Sequence, residues 1–305
     1  MISMLPPLPP VDDIIAAALA EDFGVTPGRI RVAVDDLELL ARDVTSAAVV
    51  PQTARFTGVV VAREDTVVCG LPVTARVFEM LSAAVGAPDD IDVLPLVIEG
   101  AHVSAGTPVL EVEGNARIVL AAERTALDFL MTFSGIAAEA SRWQAAAGDR
   151  LRVHDTRKTL PGLRALSKYA VAVGGAHNHR AGLWDMVLVK DNHLAHAGSV
   201  SAAVAAAREA APGLRVEIEA DTLEQALDAA RAGADVVMLD NFDDAALASA
   251  VRALREAGAT CEIEASGGIR FERLAALAAT GVDIVSSSAI ALAPPVDFGL
   301  DETKT

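Results

Sequence analysis

From residue 150 onward the chain alternates short β-branched apolar runs with Ala/Leu-rich stretches of helical pattern. The apolar runs stand at 151–155 (LRVHD), 186–190 (MVLVK), 214–219 (LRVEIE), 235–240 (DVVMLD), 260–265 (TCEIEA) and 282–286 (VDIVS). Strand–helix repetition at this spacing predicts a parallel sheet. The first half has a mixed texture. Residues 1–10 are Pro-rich and read as extended chain, and DDIIAAALAEDFG reads as a helix with acids at its start, where the helix dipole favours them. Strands are predicted at 54–62 and 66–69 and a helix at 72–84. Glycines punctuate short Val-rich runs in VIEGAHVSAGTPVLEVEG (97–114), which predicts hairpins. Residues 119–147 read as a long helical region with a break at Ser134–Gly135.

Each apolar run of the second half ends on a polar residue that no core would choose. In order these are Asp155 (leading into Thr156, Arg157 and Lys158), Lys190, Glu219, Asp240 with Asn241, Ser266-Gly267-Gly268, and Ser286 to Ser288. Ligands of parallel α/β folds lie beyond the carboxyl ends of the strands, where successive loops converge. A barrel turns all six ends toward one mouth, whereas an open sheet would hold the outer ones too far apart. The expected fold class is therefore α/β: an N-terminal α+β domain over 1–130, a six-stranded incomplete α/β barrel over 131–290, and a tail, 291–305, packing back on the first domain.

The residue types sort along the chain. Early ends supply cations, middle ends carboxylates, and late ends hydroxyls and glycines of the kind that hold phosphate by backbone N–H groups. Such a mouth suits a compact polyanion, a group bearing hydroxyls with Mg²⁺, and a terminal phosphate. Arg suits carboxylate because its planar fork binds both oxygens.

Composition narrows the classes. The chain has 305 residues, is 52% apolar, and carries a formal net charge of -17. So acidic a surface argues against nucleic acid and anionic membrane as partners. No signal peptide or membrane span is evident, and a cytoplasmic protein is expected. Cys69 and Cys261 lack metal-type spacing and read as buried reduced thiols. Against this acidic background, the stretch 154–193 gathers Arg157, Lys158, Arg164, Lys168, Arg180 and Lys190, with His154, His177, His179 and His193.

That stretch, HDTRKTLPGLRALSKYAVAVGGAHNHRAGLWDMVLVKDNHL, resembles the signature of the quinolinate phosphoribosyltransferases. The likeness extends through LAED, DVTS, ERTALDFLMTFSGIA, VEIEADTLEQA, VVMLDNF, IEASGGI and VDFGLD. It implies an enzyme of NAD biosynthesis. Quinolinate and 5-phosphoribosyl-1-diphosphate would give nicotinate mononucleotide, diphosphate and CO2, with Mg²⁺ as cofactor, in a homodimer or higher even oligomer. Carried onto this chain, Arg157, Lys158, His179, Arg180 and Lys190 would line the quinolinate pocket. Arg124 would enter from the neighbouring subunit. Glu219 and Asp240 would face the ribose hydroxyls and the metal, and Ser266, Gly267 and Gly268 would hold the phosphate. Lys158, Glu219 and Asp240 are the candidate catalytic groups.

Two departures from the family pattern stand out. Residues 23–42 read as a surface insertion, and Ser288 stands where glycine is common, within the phosphate-binding stretch. Other readings of the same residues are a zinc set of His177, His179 and His193, and a Schiff-base Lys190. A sister enzyme acting on another acid and a non-catalytic binder of phosphorylated metabolites are further alternatives. Arg164 and Lys168, at i and i+4, read as a solvated helix face, and Trp143, Trp184 and Tyr169 as packing residues.

Overall fold

The computed structural model describes residues 5–31 and 37–303. The chain forms two compact units, Met1–Ala138 with Ala293–Thr305, and Glu139–Leu292. The division falls later than 130 because the intervening helix, Ala116–Ala147, is one continuous element whose earlier turns belong to the first unit. No break occurs at Ser134–Gly135. Ser134 instead hydrogen-bonds the Cys69 backbone, accepting from its N–H at 2.9 Å. Gly135 is small because the Pro294 carbonyl oxygen occupies the place a Cβ would take.

In the first unit, strands β1 (Arg55–Ala62), β2 (Thr66–Val67), β3 (Ile91–Pro95), β4 (His102–Val103) and β5 (Pro108–Asn115) are antiparallel. β1 lies between β5 and the C-terminal strand Phe298–Glu302, and β3 pairs with β5. The hairpins predicted over 97–114 do not form. β4 pairs with β2, and β5 with β1 and β3, so long-range pairing overrides the local turns. The helix Leu71–Ala84 buries Val73, Val77, Phe78 and Leu81 at helical spacing.

Residues 23–42 are not simply a surface insertion. Residues 32–36 of that stretch lie outside the described residues. The helix Pro27–Arg31 contacts both Asp12–Phe23 and Leu71–Ala84 and buries Ile30, and Leu39 is buried as well. Their apolar side chains belong to the unit's core.

The second unit is built on β6 (Arg152–His154), β7 (Val187–Val189), β8 (Val216–Ala220), β9 (Val236–Asp240), β10 (Glu262–Ser266) and β11 (Ile284–Ser286). Every pairing is parallel, in the order β6-β11-β10-β9-β8-β7. The first strand therefore neighbours the last, as in a barrel, with a seam between β6 and β7. At that seam His177 bridges to His154 in parallel fashion. The six strands lie within two residues of their predicted bounds.

Candidate active site

Side chains two apart on a strand share a face. From the carboxyl ends, the lumen-facing series therefore runs inward from Glu219 to Glu217, Asp240 to Met238, Ser266 to Glu264, and Ser286 to Ile284. The outer members open on a cavity of about 400 Å³. Its lining includes Arg157, Lys158, His179, Arg180, Lys190, Glu219, Asp240, Ser266, Gly267, Gly268 and Ser286. All six strand ends meet at one mouth.

The cavity has two electrostatic walls. Among the described residues Arg157, Lys158 and Arg180 form no ion pair, and the buried Arg157 Nε has no hydrogen-bond partner. Burial and then the Arg157 charge hold the Arg180 guanidinium below its ordinary range. Unpaired, mutually repelling cations in a partly buried site are destabilising unless an anion arrives. On the other wall, Lys190 is ion-paired with Glu219, and the Asn241 Nδ2 donates to Asp240 Oδ2 at 2.5 Å. Asn241 has φ +58 and is the one non-glycine residue with positive φ among those described. Gly267 and Gly268 follow with φ of +83 and +59, and a Cβ on Gly267 would collide with Asn241 Oδ1. This close approach lets the β9 and β10 loops share one small space.

His179 and Arg180 lie on no strand end, yet both line the mouth. They are carried there by the seam segment, where Asp155 N–H donates to His177 O at 3.0 Å and His177 N–H to Val153 O at 2.8 Å. The fully buried Asp155 accepts the His179 N–H at 2.8 Å and the Lys168 ammonium at 2.5 Å. Lys168 is thus no solvated residue: the helix Arg164–Val173 turns it inward, with 6% of its side chain exposed, onto the buried acid. Arg164 is half-buried with its Nε unpartnered.

Beneath the mouth, His179 Nε2 lies 3.0 Å from Glu217 Oε2 and 3.6 Å from Glu264 Oε2. Burial, followed by the Glu217 charge, pushes Glu264 up to about 8, so it is protonated at neutral pH. Burial works against charge on His179, while its pairing with Glu217, foremost among the opposing causes, pulls its pKa above the ordinary imidazole range. The Arg180 N–H, aimed at Nδ1 from 2.8 Å, decides the tautomer. While the ring is neutral, Nδ1 accepts and the ring hydrogen sits on Nε2, within ion-pair distance of both acids but aligned for a hydrogen bond with neither. The same hydrogen removes Nε2 as a metal ligand, although His179, Glu217 and Glu264 have the spacing of a metal trio.

The zinc set of His177, His179 and His193 does not converge. His193 Nδ1 accepts from Lys190 N–H at 2.9 Å, and the His177 ring lies 5.6 Å from that of His154, whose pKa burial drives down to about 3. Lys190, ion-paired to Glu219, is the opposite of the desolvated amine a Schiff base needs. Ser288 does not line the cavity, and Ser286, one turn of alternation earlier, does. Arg124 belongs to the first unit, where it is exposed and paired with Asp128 at 3.1 Å. Trp143 and Tyr169 are buried, but Trp184 is 73% exposed, its ring covering Gly182. Cys69 is buried and Cys261 half-buried, both as free thiols. Sequence reasoning missed Glu217 and Glu264. Their signal was present, since each sits two residues before a mouth residue on a strand.

Comparison with known proteins agrees with this geometry. Residues 43–134 match the quinolinate phosphoribosyl transferase N-terminal domain and residues 136–301 its C-terminal domain. The chain belongs to the quinolinate phosphoribosyl transferase family. It is 42% identical to the carboxylating nicotinate-nucleotide pyrophosphorylase of Mycobacterium leprae over 92% of this chain and 98% of that one. The human carboxylating nicotinate-nucleotide pyrophosphorylase is 40% identical over 78% of this chain and 80% of its own length. The NadC structure from Streptococcus pyogenes superposes with a TM-score of 0.83 at 35% identity, covering 96% of this chain and 97% of that one. Family membership accounts for the coexistence of an α+β unit and a six-stranded barrel. Among the described residues, no helix is long and apolar enough to cross a membrane.

Proposed function

We infer that the barrel mouth transfers a phosphoribosyl group from 5-phosphoribosyl-1-diphosphate to quinolinate, with decarboxylation, giving nicotinate mononucleotide, diphosphate and CO2. The observation that carries this reading is the trio of cations Arg157, Lys158 and Arg180, which form no ion pair among the described residues, on a protein of net charge -17. Two adjacent carboxylates on a flat ring are the ligand such a wall suits, because guanidinium forks match carboxylate geometry. Across the cavity, Glu219 and Asp240 face the ribose. As diphosphate leaves, positive charge develops on the sugar, and fixed carboxylates stabilise it. The pyridine nitrogen attacks the anomeric carbon with its electron pair. The C–C bond to the adjacent carboxylate then breaks as CO2 departs, leaving its electron pair at that ring carbon, which takes a proton. The protein's share is positioning and charge balance.

Glu219 and Asp240 fit Mg²⁺. They are two carboxylates at an open mouth, and Mg²⁺ commonly keeps waters and takes its remaining ligands from substrate oxygens. Bound there, the ion supplies positive charge to the diphosphate leaving group. The loops at Ser266, Gly267, Gly268 and Ser286 suit the 5′-phosphate through backbone N–H groups and hydroxyls. Ser288 would act only as a neighbour of that loop. Arg124, exposed in one copy, is suited to complete the diacid pocket of a second copy in a homodimer, and a cytoplasmic location agrees with the substrates.

The test is direct. Purified protein with Mg²⁺, phosphoribosyl diphosphate and quinolinate should release nicotinate mononucleotide. Turnover of nicotinate but not quinolinate would overturn the substrate assignment.

A further inference from the structure

We propose that the buried Asp155–Lys168 pair is a positioning device that sets His179 and Arg180 against the diacid, so that quinolinate affinity depends on two residues that never touch it. The inference rests on the quinolinate reading of the cavity. Asp155 Oδ1 accepts the His179 N–H at 2.8 Å, and Lys168 Nζ donates to the His179 carbonyl at 2.9 Å and to Asp155 at 2.5 Å. One ion pair therefore holds both peptide groups that flank the His179 Cα. With its amide oriented to satisfy its neighbours, Asn178 donates to Asp155 Oδ2 at 2.8 Å and to Lys168 O at 3.0 Å. On the far side of Arg180, Asp185 accepts the Ala181 and Gly182 N–H groups at 2.6 and 3.0 Å. Arg180 is thus suspended between two carboxylate anchors.

Neither Asp155 nor Lys168 lines the cavity. Burial disfavours charge on both, pushing Asp155 up and Lys168 down. An apolar pair would dock the helix at least as well, so the ion pair is better explained by the geometry it specifies than by stability. The segment it holds has no sheet of its own beyond the single bridge at His177. Without the clamp, the two cavity residues would hang on a loop.

The test uses the full-length enzyme. Lys168→Met leaves Asp155 as an uncompensated buried charge, so the informative variant is Asp155→Asn with Lys168→Met, which removes both charges. It should fold with a wild-type circular dichroism spectrum, yet its KM for quinolinate should rise about tenfold or more, as loss of preorganisation requires. Its KM for phosphoribosyl diphosphate should move less than about twofold. Asn178→Ala, at an exposed position, should shift the quinolinate KM the same way by about threefold. A folded double variant with an unchanged quinolinate KM, or one in which both KM values rise together, overturns the clamp. A double variant that does not fold makes the pair a general fold determinant and overturns its selective role. Wild-type protein that ignores quinolinate sinks the functional reading itself, a different failure.

Discussion

Arg180→Gln should weaken catalysis while leaving the free protein as stable as before, or more so. In the free enzyme Arg180 is held against burial and against Arg157, with the smaller influence of the Glu217 and Asp185 charges in its favour. Glutamine keeps most of the stem and the polarity but removes the charge. With quinolinate bound, a charge-assisted hydrogen bond to a carboxylate contributes about 1.5–3 kcal/mol. At about 1.4 kcal/mol per decade, kcat/KM for quinolinate should fall roughly ten- to a hundredfold. The Tm of the free enzyme should stay put or rise by about 1–3 °C, since the substitution relieves repulsion and breaks no ion pair. Steady-state kinetics with each substrate varied, together with thermal melts in low and moderate salt, check both halves. Salt should stabilise wild type more than the variant, because it screens the Arg157–Arg180 repulsion. A Tm that drops several degrees, with both substrates' parameters falling together, would show that Arg180 holds the fold, and the unpaired-cation argument would fail.

The remaining expectations concern the acids and the phosphate loop. Glu264, protonated in the folded state up to about pH 8, ionises in the unfolded chain near 4.5. The unfolded state therefore binds fewer protons between these values, and stability should decline as pH rises across that window, by at most about 4 kcal/mol. Glu264→Gln should flatten that decline in urea unfolding series between pH 5 and 8; an unaltered slope would remove Glu264 as its source. Glu219→Gln and Asp240→Asn should each lower kcat about a hundredfold while quinolinate binding by calorimetry holds within a few-fold, as electrostatic stabilisation of a developing cation implies. Equal loss of binding would place them on the diacid side. Gly267→Ala, at φ +83 and with its Cβ driven into Asn241 Oδ1, should raise the KM for phosphoribosyl diphosphate and cost about 1–3 kcal/mol of stability. Wild-type behaviour would show that the loop is looser than its geometry implies.

Much of the barrel was legible because its strands are short, buried and end abruptly in polar residues. Asp155, Lys190, Glu219, Asp240 and Ser266 each terminate an apolar run, and the carboxyl-end rule turns that one-dimensional mark into a shared mouth. What escaped reading was long-range pairing. The runs in 97–114 carry turn signals, but β4 and β5 find partners elsewhere, so the expected hairpins do not form. Gly135 looked like a helix break because a glycine marks either backbone freedom or close approach, and only the Pro294 carbonyl distinguishes them. Lys168 looked solvated because i, i+4 spacing of cations on an amphipathic helix usually faces water. Its partner lies 13 residues away on the end of β6, a pairing no local pattern encodes.

The same layering explains how an acidic protein tolerates a cationic pocket. Arg157, Lys158 and Arg180 cannot be neutralised by surface acids without losing their ligand, since a contacting carboxylate would compete for the same guanidinium fork. A charge one layer deeper has a different effect. Glu217, buried on β8 two residues inside Glu219, favours charge on Arg180 without forming an ion pair with it. Because the lumen is shielded from water, that attraction is less screened than one through solvent. Glu264 could double the buried negative charge, but its raised pKa keeps it protonated, so the pair holds close to one charge rather than two. The lumen thus offsets part of the repulsion among the cations while leaving their forks open. That division of labour requires Glu217 and Glu264 to sit on alternate strands facing one axis, which a sheet curled into a barrel allows and a flat sheet does not.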